Sequence, residues 1–346
     1  MRRLVRAWNS RRPVSRLREK GEDVARSTSG SASLSPQAAN HAVTPRTSSV
    51  WRRMWSNRAV YLFILPGFLW YVVFHYLPIL GNVIAWKDYN IFIGIQASPW
   101  VGWENFQAIF TDPEFEVALR NTLIIEGLQL VFAFPAPLAL ALLLNSLISE
   151  QVKRTIQSIV YLPHFLSWVI VIAVWQQLFG GDGFLNQILL NQGFDRVNIM
   201  NNPDTFKLLA VMQSIWKDAG WGTIIFLAAL TKIDVHLYEA AAMDGAGGWR
   251  RLINITLPGI RSVIVLLLIL RLGSMLTVGF EQYFLQRGAV GADAAEVLDT
   301  FIYFRGIVNG DWSFAAAVGI WRAIIGALLI FGANWLAKKF FDEGIF

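Results

Sequence analysis

The stretch "YEAAAMDGAGGWRRLINITLPGI", Tyr238 to Ile260, lies between two long apolar segments and is far more polar than either of them. Its first part, "YEAAAM", consists mainly of strong helix formers. The following "DGAGG" breaks that helix, because glycine permits backbone angles that other residues resist. "WRRLINI" then restores a helical pattern, which Pro258 ends because proline disfavours helix in the residue before it. We therefore predict two short helices joined by a bend.

The segments on either side have the composition of a membrane protein. Of the 346 residues, 55% are hydrophobic and 16% are charged, with a mean hydropathy of +0.44, whereas soluble domains carry about 25% charged residues. None of the apolar segments sustains the alternation of a membrane barrel strand. Crossing a hydrocarbon layer takes roughly 20 helical residues. Six segments meet that length, at residues 59–85, 122–144, 156–179, 208–230, 262–284 and 314–336. We predict an all-α integral membrane protein with six transmembrane helices.

The distribution of cations predicts the orientation of these spans. Most of the 30 Lys and Arg residues fall in segments that are cytoplasmic if the N-terminus is inside, and cytoplasmic loops retain positive charge. Both the N- and C-termini are therefore expected to be cytoplasmic, as is the stretch from Tyr238 to Ile260. Residues 87–117, 180–207 and 286–313 are then outside. We expect a bacterial cytoplasmic (inner) membrane.

The chain divides by composition into two parts. Residues 1–57 are basic and include a Ser-, Ala- and Pro-biased run at 27–49, which predicts a largely disordered cytoplasmic tail. The start has no apolar core of a secretory signal, and an organelle transit peptide stays an alternative. The net charge of +6 is concentrated in this tail, where orientation and anionic lipid explain it more simply than nucleic acid does. Residues 58–346 form the predicted membrane domain, with the polar loop at 236–258.

The sequence lacks the signatures of common catalytic sites. There is no G-x-x-x-x-G-K-[ST] for nucleotide phosphates, no H-E-x-x-H and no G-x-S-x-G. Cysteine is absent, and the four histidines are scattered along the chain. These observations argue against an enzyme acting alone and against a cofactor or metal bound by this chain.

The polar loop carries a specific motif. The pattern E-A-A, three residues, G, nine residues, I-x-L-P is matched at Glu239, Ala240, Ala241, Gly245, Ile255, Leu257 and Pro258. It resembles the EAA loop of binding-protein-dependent ABC importer permeases, which carry it between spans four and five of six. One permissive position differs, since Leu252 stands where an aromatic residue is often seen.

Three further segments resemble the carbohydrate branch of this family, in particular permeases for oligosaccharides and polysaccharides. They are "VGWENFQAIF" (101–110), "YLPHFLSWVIVIAVW" (161–175) and "GDWSFAAAVGIW" (310–321). The resemblance covers roughly residues 58–346 and leaves out the basic tail. It implies the transmembrane domain of a type I ABC importer.

The resemblance also implies how the chain works and with which partners. The EAA loop would form a coupling helix that docks on a cytosolic ATPase, with the residues Glu239, Ala240, Ala241, Ala242, Asp244, Gly245, Ile255, Leu257 and Pro258 as the coupling site. Such permeases work with a second, homologous permease, two ATPase subunits that bind ATP and Mg, and an extracytoplasmic solute-binding protein. The outside segments are the expected docking surface for that binding protein.

Residues that lipid would reject mark the expected substrate path, because intramembrane polar groups face a bundle interior or an aqueous cavity. The candidates are Glu126, Trp175, Gln176, Gln213, Lys217, Trp221, Arg271 and Arg322. Lys217, Arg271 and Arg322 would suit an acidic, alginate-like sugar. The alternative is that these cations pair with Glu126, Asp218 and Glu281 and hold the bundle together, which leaves neutral oligosaccharides open. Arg271 and Glu281 are expected on one face of a continuous helix.

Two other classes of function remain open at this point. A secondary transporter or channel would work without ATPases and should show inverted repeats. A membrane-embedded glycan-processing enzyme should show acidic or His residues clustered at one membrane face. Separately, Pro135 and Pro137 are expected to kink or loosen the second span, because each removes a backbone donor.

Overall fold

The computed structural model describes Trp55, residues 58–342 and Gly344, so the predicted tail at 1–57 lies almost wholly outside the described residues. The described chain is helical and contains no strand, apart from an isolated antiparallel bridge between Lys87 and Trp100. The structure separates at Pro66 into two units. The contacts described below all lie in the second unit, Gly67–Phe346.

We number the helices in chain order. They are α1 Arg58–Trp86, α2 Gly94–Ala97, α3 Glu104–Ile109, α4 Pro113–Ser146, α5 Glu150–Tyr161, α6 Trp168–Phe179, α7 Phe184–Asn191, α8 Phe206–Leu230, α9 Val235–Met243, α10 Gly248–Gly259, α11 Arg261–Gly273, α12 Glu281–Val290, α13 Ala292–Ala295, α14 Leu298–Tyr303 and α15 Trp312–Phe341. Helices α1, α4 and α10 each include a π-helical or 3₁₀ turn within their bounds. A short 3₁₀ turn, Leu162–Phe165, follows α5, and a π-helical turn, Phe304–Val308, follows α14.

Four helical segments of the described chain are long and apolar enough to cross a membrane. They are Arg58–Trp86, Pro113–Ser146, Trp168–Asn191, which joins α6 and α7, and Trp312–Phe340. The pair α10 and α11, bent by 62°, would make a fifth. The predicted number of six is therefore not confirmed. The fourth predicted span is present as the 25-residue helix α8, but Lys217 and Asp218 near its centre lower its hydropathy.

The third predicted span was wrong in its first half. Residues from Ile156 to Tyr161 belong to the separate helix α5, and Pro163 lies in the 3₁₀ turn that follows it. A new helix, α6, begins at Trp168, because the Ser167 side chain accepts a hydrogen bond from the Ile170 amide at 3.4 Å and caps it. A hydropathy window does not register this break, since the residues on both sides of it are apolar.

The fifth predicted span was also wrong as a continuous helix. Helix α11 ends at Gly273, and an irregular segment separates it from α12, which begins at Glu281. Gly279 in that segment has φ +100°, and a right-handed helix requires a negative φ. Arg271 and Glu281 consequently lie on different helices and do not share a helical face.

The prolines of the second span have the expected effect. A π-helical turn, Gln129–Ala133, directly precedes Pro135, and the Phe134 amide bonds to the carbonyl of Gln129 at 2.8 Å. The wider turn absorbs the hydrogen bond that proline cannot make. The carbonyl of Pro137 accepts a hydrogen bond from the Thr223 hydroxyl at 3.1 Å, which ties α4 to α8.

Apolar side chains pack into clusters near each end of the bundle. One cluster joins α3, α4, α14 and α15 around Phe115, Leu298 and Phe314. Another joins the last turns of α4 and α8 to the start of α11, around Ala141, Phe226 and Ile260. The second cluster supports the polar loop, because Ile233, at the start of that loop, packs against it.

Helix α8 approaches α5 so closely that only glycine fits at the contact. A Cβ atom on Gly220 would lie 1.9 Å from the carbonyl oxygen of Val160 and 2.5 Å from its carbonyl carbon. Both atoms belong to the backbone of α5 and have no rotamer by which to move away. Gly220 therefore fixes the distance between these two helices.

We predict that Gly220→Ala forces α5 and α8 apart and lowers the free energy of unfolding by about 1 to 3 kcal/mol, the usual cost of overpacking. The measurement is the thermal unfolding midpoint of the purified protein in mild detergent. Gly127→Ala on α4 is the matched control, because a Cβ there meets nothing within 4 Å. Equal midpoints for the two variants would contradict the prediction.

Candidate functional site

The first half of the polar loop is the helix α9, which begins at a side-chain cap. The Asp234 carboxylate accepts a hydrogen bond from the His236 amide at 2.9 Å. Further along the helix, the Glu239 carboxylate lies 3.1 Å from Nδ1 of His236, and both side chains are exposed. Ala240 and Ala242 are exposed as well, while Ala241 is half-buried. The E-A-A residues therefore lie on an accessible helix with little side-chain bulk.

The break after α9 is a glycine turn with specific hydrogen bonds. Gly245 has φ +72°, a left-handed conformation that favours glycine. Its amide bonds to the carbonyl of Ala242 at 3.1 Å, and the Ala246 amide bonds to the carbonyl of Ala241 at 2.9 Å. This pair of bonds is the Schellman motif, and Asp244 is the C-cap residue. The motif glycine thus has a definite role, which is to end α9 and reverse the chain.

The second half of the loop is the helix α10, which the Tyr238 hydroxyl joins to α9. That hydroxyl lies 2.9 Å from the hydroxyl of Thr256. The prediction that α10 ends before Pro258 was wrong, since its helical backbone runs on to Gly259. The π-helical turn Leu252–Thr256 precedes the proline and relieves the missing hydrogen bond. Ile255 and Leu257 are half-buried.

The loop presents apolar side chains to solvent on both of its helices. Met243 is 90% exposed and Trp249 is 72% exposed. The other large apolar residues exposed there are Val235, Leu237 and Ile253. Exposed apolar surface beside charged groups such as Glu239 is typical of a protein contact. Much of the apolar surface of the loop is therefore not covered by the described part of this chain.

The bend between α10 and α11 connects the loop to the bundle. Ile260 lies at this bend and is fully buried in the apolar cluster of α4, α8 and α11. A Cβ on Gly259 would lie 3.0 Å from the side chain of Ile233, so the two ends of the loop are in close contact. The loop is therefore in direct contact with the cluster that joins α8 to α11.

Two of the intramembrane cations are paired with carboxylates. Arg271 on α11 lies 2.8 Å from the Glu126 carboxylate on α4, and it also donates to the side-chain oxygen of Gln129. Glu126 is only 1% exposed. Arg322 on α15 lies 2.5 Å from the Asp299 carboxylate on α14. Both arginines keep part of their side chains accessible.

The partners expected from the sequence differ in part from those in the structure. Glu126 was expected to form an ion pair and does. Glu281 is exposed on α12, and Arg322 pairs with Asp299, which sequence reasoning did not single out. Asp218 lies against His164 at 2.8 Å rather than against Lys217.

Lys217 is buried and hydrogen-bonded to the backbone. Its ammonium group donates to the carbonyls of His164 and Leu166, both at 2.7 Å. It also lies 5.7 Å from the centre of the Trp168 ring. Lys217 therefore holds the start of α6 against α8, and its positive charge has no carboxylate partner among its hydrogen-bonded neighbours.

Gln213 belongs to a buried cluster of amides. It exchanges two hydrogen bonds with Gln286 of α12, at 3.1 and 3.0 Å, and accepts a third from Gln282 at 3.0 Å. Ser214 donates to Gln282 at 3.2 Å. The cluster fastens α12 to α8, and Gln213 is not accessible in this conformation.

Aromatic side chains with accessible surface surround α8. Trp221 stacks on the His164 ring at 4.5 Å, with 5° between the ring planes, and is 46% exposed. Trp175 is half-buried and meets Trp216 edge to face at 6.4 Å. Gln176 is exposed beside Trp175. Partly exposed rings, amides and a His164–Asp218 pair can together bind the faces and hydroxyls of a sugar.

Sequence reasoning missed several residues of this region. His164, Trp216, Gln282, Gln286 and Asp299 all have polar or aromatic groups placed among the candidate residues. One signal in the sequence could have identified such residues, namely a polar residue within an apolar segment, and His164 is an example. Asp299 gave no such signal, because it lies in a segment that reads as an outside loop.

Comparisons with known proteins agree with this architecture. The family of binding-protein-dependent transport system inner membrane components matches residues 133–342. Protein LplB of Bacillus subtilis (strain 168) is 48% identical over 291 residues, which cover 84% of this chain and 92% of LplB. The polygalacturonan/rhamnogalacturonan transport system permease protein YteP of the same strain is 45% identical over 291 residues, covering 84% of this chain and 91% of YteP.

A solved structure is similar over nearly its whole length. A chain of a bacterial alginate ABC transporter, crystallised in complex with alginate pentasaccharide-bound periplasmic protein, superposes with a TM-score of 0.78. It is 34% identical, and the match covers 86% of this chain and 99% of that chain. This protein therefore belongs to the binding-protein-dependent transport system inner membrane components, and it is a transport subunit, the permease of an ABC importer with the type I fold, rather than an enzyme.

Proposed function

We propose that this permease carries an oligo- or polysaccharide, with an acidic, alginate-like chain as the favoured class, by alternating access that partner ATPases drive. The observation that carries the proposal is the exposed loop α9–α10, with its E-A-A residues accessible and its base fixed to α8 and α11. ATP and Mg bind to the ATPase subunits, which supply the chemical step.

The coupling site consists of the motif residues of that loop. Glu239 is accessible and meets only an exposed histidine within α9, so it is free to pair with a basic residue across an interface. The small side chains of Ala240 and Ala242 allow a partner backbone to approach closely. When two ATPases close on ATP, docked loops move with them, and the attached helices swing between inward- and outward-open states.

The proposed assembly contains this permease, a second homologous permease, two ATPase subunits and an extracytoplasmic solute-binding protein. The solved relative was crystallised with a sugar-loaded periplasmic protein, which supports the last partner. Both termini of the chain are cytoplasmic in the proposal, within a bacterial inner membrane. The binding protein then docks on the outside segments 87–117, 180–207 and 286–313.

The proposed substrate path runs past the partly accessible groups of the bundle. Trp175, Gln176 and Trp221 have the aromatic and amide surface that a sugar needs, and Arg271 and Arg322 expose part of their cationic side chains. Glu126, Gln213 and Lys217 are buried and engaged in this conformation. Their exposure to substrate requires the conformational change itself, so their place in the path stays a prediction.

Two observations favour an acidic sugar. YteP is named for polygalacturonan and rhamnogalacturonan, and the solved relative is named for alginate. Within this chain, Lys217 is held by neutral carbonyls, so its charge is not cancelled by a directly bonded carboxylate. A cation in a low-dielectric bundle attracts a carboxylate more strongly than it does in water.

We predict that Glu239→Lys leaves the permease in the membrane and abolishes ATP-driven uptake, because it puts a like charge where a basic partner residue is expected. Losing one partner of a buried interfacial charge pair costs about 2 to 5 kcal/mol. The measurement is uptake by proteoliposomes that contain the full complex. Glu150→Lys on α5, also exposed and on the same expected side of the membrane, is the matched control and should retain uptake. Wild-type uptake by Glu239→Lys would refute the coupling role.

We predict that Arg271→Gln destabilises the permease by about 3 to 5 kcal/mol, because it leaves the buried Glu126 carboxylate without its partner. The double variant Glu126→Gln, Arg271→Gln should recover most of the stability, since the unpaired charge is gone. Thermal unfolding in detergent measures both effects. Uptake of an acidic sugar should remain reduced in the stable double variant, whereas full uptake would make Arg271 a structural residue only.

We predict that the complex imports a labelled oligogalacturonate and that its carboxyl-reduced, neutral counterpart does not compete. The reason is the attraction between substrate carboxylates and the cations of the path. Uptake into proteoliposomes with the matching binding protein measures this, with each sugar in excess as competitor. Equal competition by the neutral sugar would exclude charge recognition and leave the importer function intact.

A further inference from the structure

The outside segment that follows the first helix contains a long stretch without charged residues. Between Asp88 and Glu104 the sequence "YNIFIGIQASPWVGW", residues 89–103, contains no Asp, Glu, Lys, Arg or His. The segment at 180–207, by contrast, exposes an Arg196–Asp182 ion pair. The segment at 286–313 includes the Arg287–Glu296 and Arg305–Asp311 pairs. We call residues 89–103 the uncharged segment.

The large apolar side chains of the uncharged segment are exposed. Phe92 is 93% exposed. The other exposed large residues of the segment are Ile91, Ile93, Ile95, Trp100 and Trp103. Exposed apolar patches of this kind mark a contact with protein or membrane.

Several polar groups in and beside the uncharged segment are paired with backbone carbonyls of the same region. The Asp88 amide bonds to the carbonyl of Pro99 at 2.9 Å, and the Val101 amide bonds to the carbonyl of Trp86 at 2.9 Å. The Lys87 ammonium group folds back onto the carbonyls of Ile95 and Ser98, at 2.7 and 3.2 Å.

Asn90 organises the turn at the tip. Its side chain accepts from the Phe92 amide at 2.9 Å, and its carbonyl accepts from the Gly94 amide at 3.0 Å. Its own amide donates to the Ser98 hydroxyl at 3.1 Å. The amides of Asn90, Phe92 and Gly94 thus have partners within the turn, which lowers the cost of moving it into a poorly hydrated environment.

Contacts to α1 and α15 hold the uncharged segment beside the end of the first apolar helix. The Tyr89 amide donates to the Ser313 hydroxyl at 2.8 Å, and Asn105 donates to the carbonyl of Ala85 at 2.9 Å. The Trp86 and Trp103 rings meet edge to face at 5.9 Å. Tryptophan is enriched where spans cross the boundary between hydrocarbon and water. The segment is therefore fixed at the level where a span leaves the membrane.

We propose that the tip of the uncharged segment, Ile91–Ile95, inserts into the headgroup boundary of the bilayer beside the first span. The last turns of α1, which the base of the segment contacts at Trp86, also expose the apolar side chains of Leu77, Ile79 and Leu80. A lipid surface requires no charged partner groups, and the tip has none to offer, whereas the two charged segments suit the binding protein. The proposal does not depend on the substrate, and it rests on the proposed function only for the side of the membrane on which the binding protein docks.

Site-directed spin labelling tests the position of the tip, because the chain has no cysteine and single-cysteine variants are unambiguous. Phe92→Cys carries a nitroxide in the complete complex, reconstituted in phosphatidylglycerol and phosphatidylethanolamine vesicles. The rate at which the nitroxide collides with oxygen, which concentrates in lipid, is compared with the rate at which it collides with a water-soluble nickel chelate. Leu69→Cys on α1 is the lipid control and Asp195→Cys is the water control, since both positions are exposed. A complex that contains the unsubstituted, cysteine-free permease, treated with the same spin label, gives the background signal from label attached to partner chains.

We expect high oxygen and low nickel accessibility at position 92, close to the values at 69 and far from those at 195. High nickel accessibility would place the tip in water and overturn the proposal. Low accessibility to both probes would mean burial against protein and would also overturn it. Addition of sugar-loaded binding protein should leave both values unchanged at 92, and a fall in them would assign the tip to that protein instead.

Discussion

Hydrocarbon offers no hydrogen-bond partners, so the polar side chains that this bundle encloses must be satisfied by the chain itself. Glu126 meets Arg271, Lys217 meets two backbone carbonyls, and Gln213 meets two other glutamines. Each of these contacts joins different parts of the chain. The arrangement of α4, α6, α8, α11 and α12 thus follows from the pairing of a few polar groups as much as from apolar packing.

The need to pair buried polar groups also distinguishes the bundle from the loop α9–α10, which is proposed to receive force from the ATPases. Helices joined by buried polar contacts resist separation, because opening such a contact leaves groups without partners in a medium of low dielectric constant. The loop α9–α10 has no such contact with the bundle in the described structure, apart from the apolar support of Ile233 and Ile260. In the proposed mechanism this bent, accessible and short loop can therefore move with a docked ATPase without the breaking of buried polar contacts.

Much of the fold, and the form of the E-A-A loop as two helices joined at a glycine, could be predicted from the sequence, because their signals are local. The helix formers before Asp244, the glycine at 245 and the apolar length of spans one, two and six all act within one stretch of chain. The breaks at Ser167 and Gly273 were missed because hydropathy averages over them. The pairs His164–Asp218 and Arg322–Asp299 were missed because their members are far apart in sequence, and only the packing of α5, α8, α14 and α15 brings them together.

The positions of the ion pairs also bear on how alternating access can proceed. Arg271–Glu126 joins α11 to α4, and Arg322–Asp299 joins α15 to α14. Breaking either pair inside the bundle would cost several kcal/mol, so the proposed motion should keep each joined pair of helices together. Between α11 and α15 the contact is instead apolar and close, since Val265, Ile269 and Ala337 pack in one cluster with Ile330 and Ala333. A Cβ on Gly326 would lie 3.1 Å from the carbonyl oxygen of Gly273. Interlocked packing of this kind resists sliding, so α11 and α15, together with the helices paired to them, are expected to move as one group in the proposed motion.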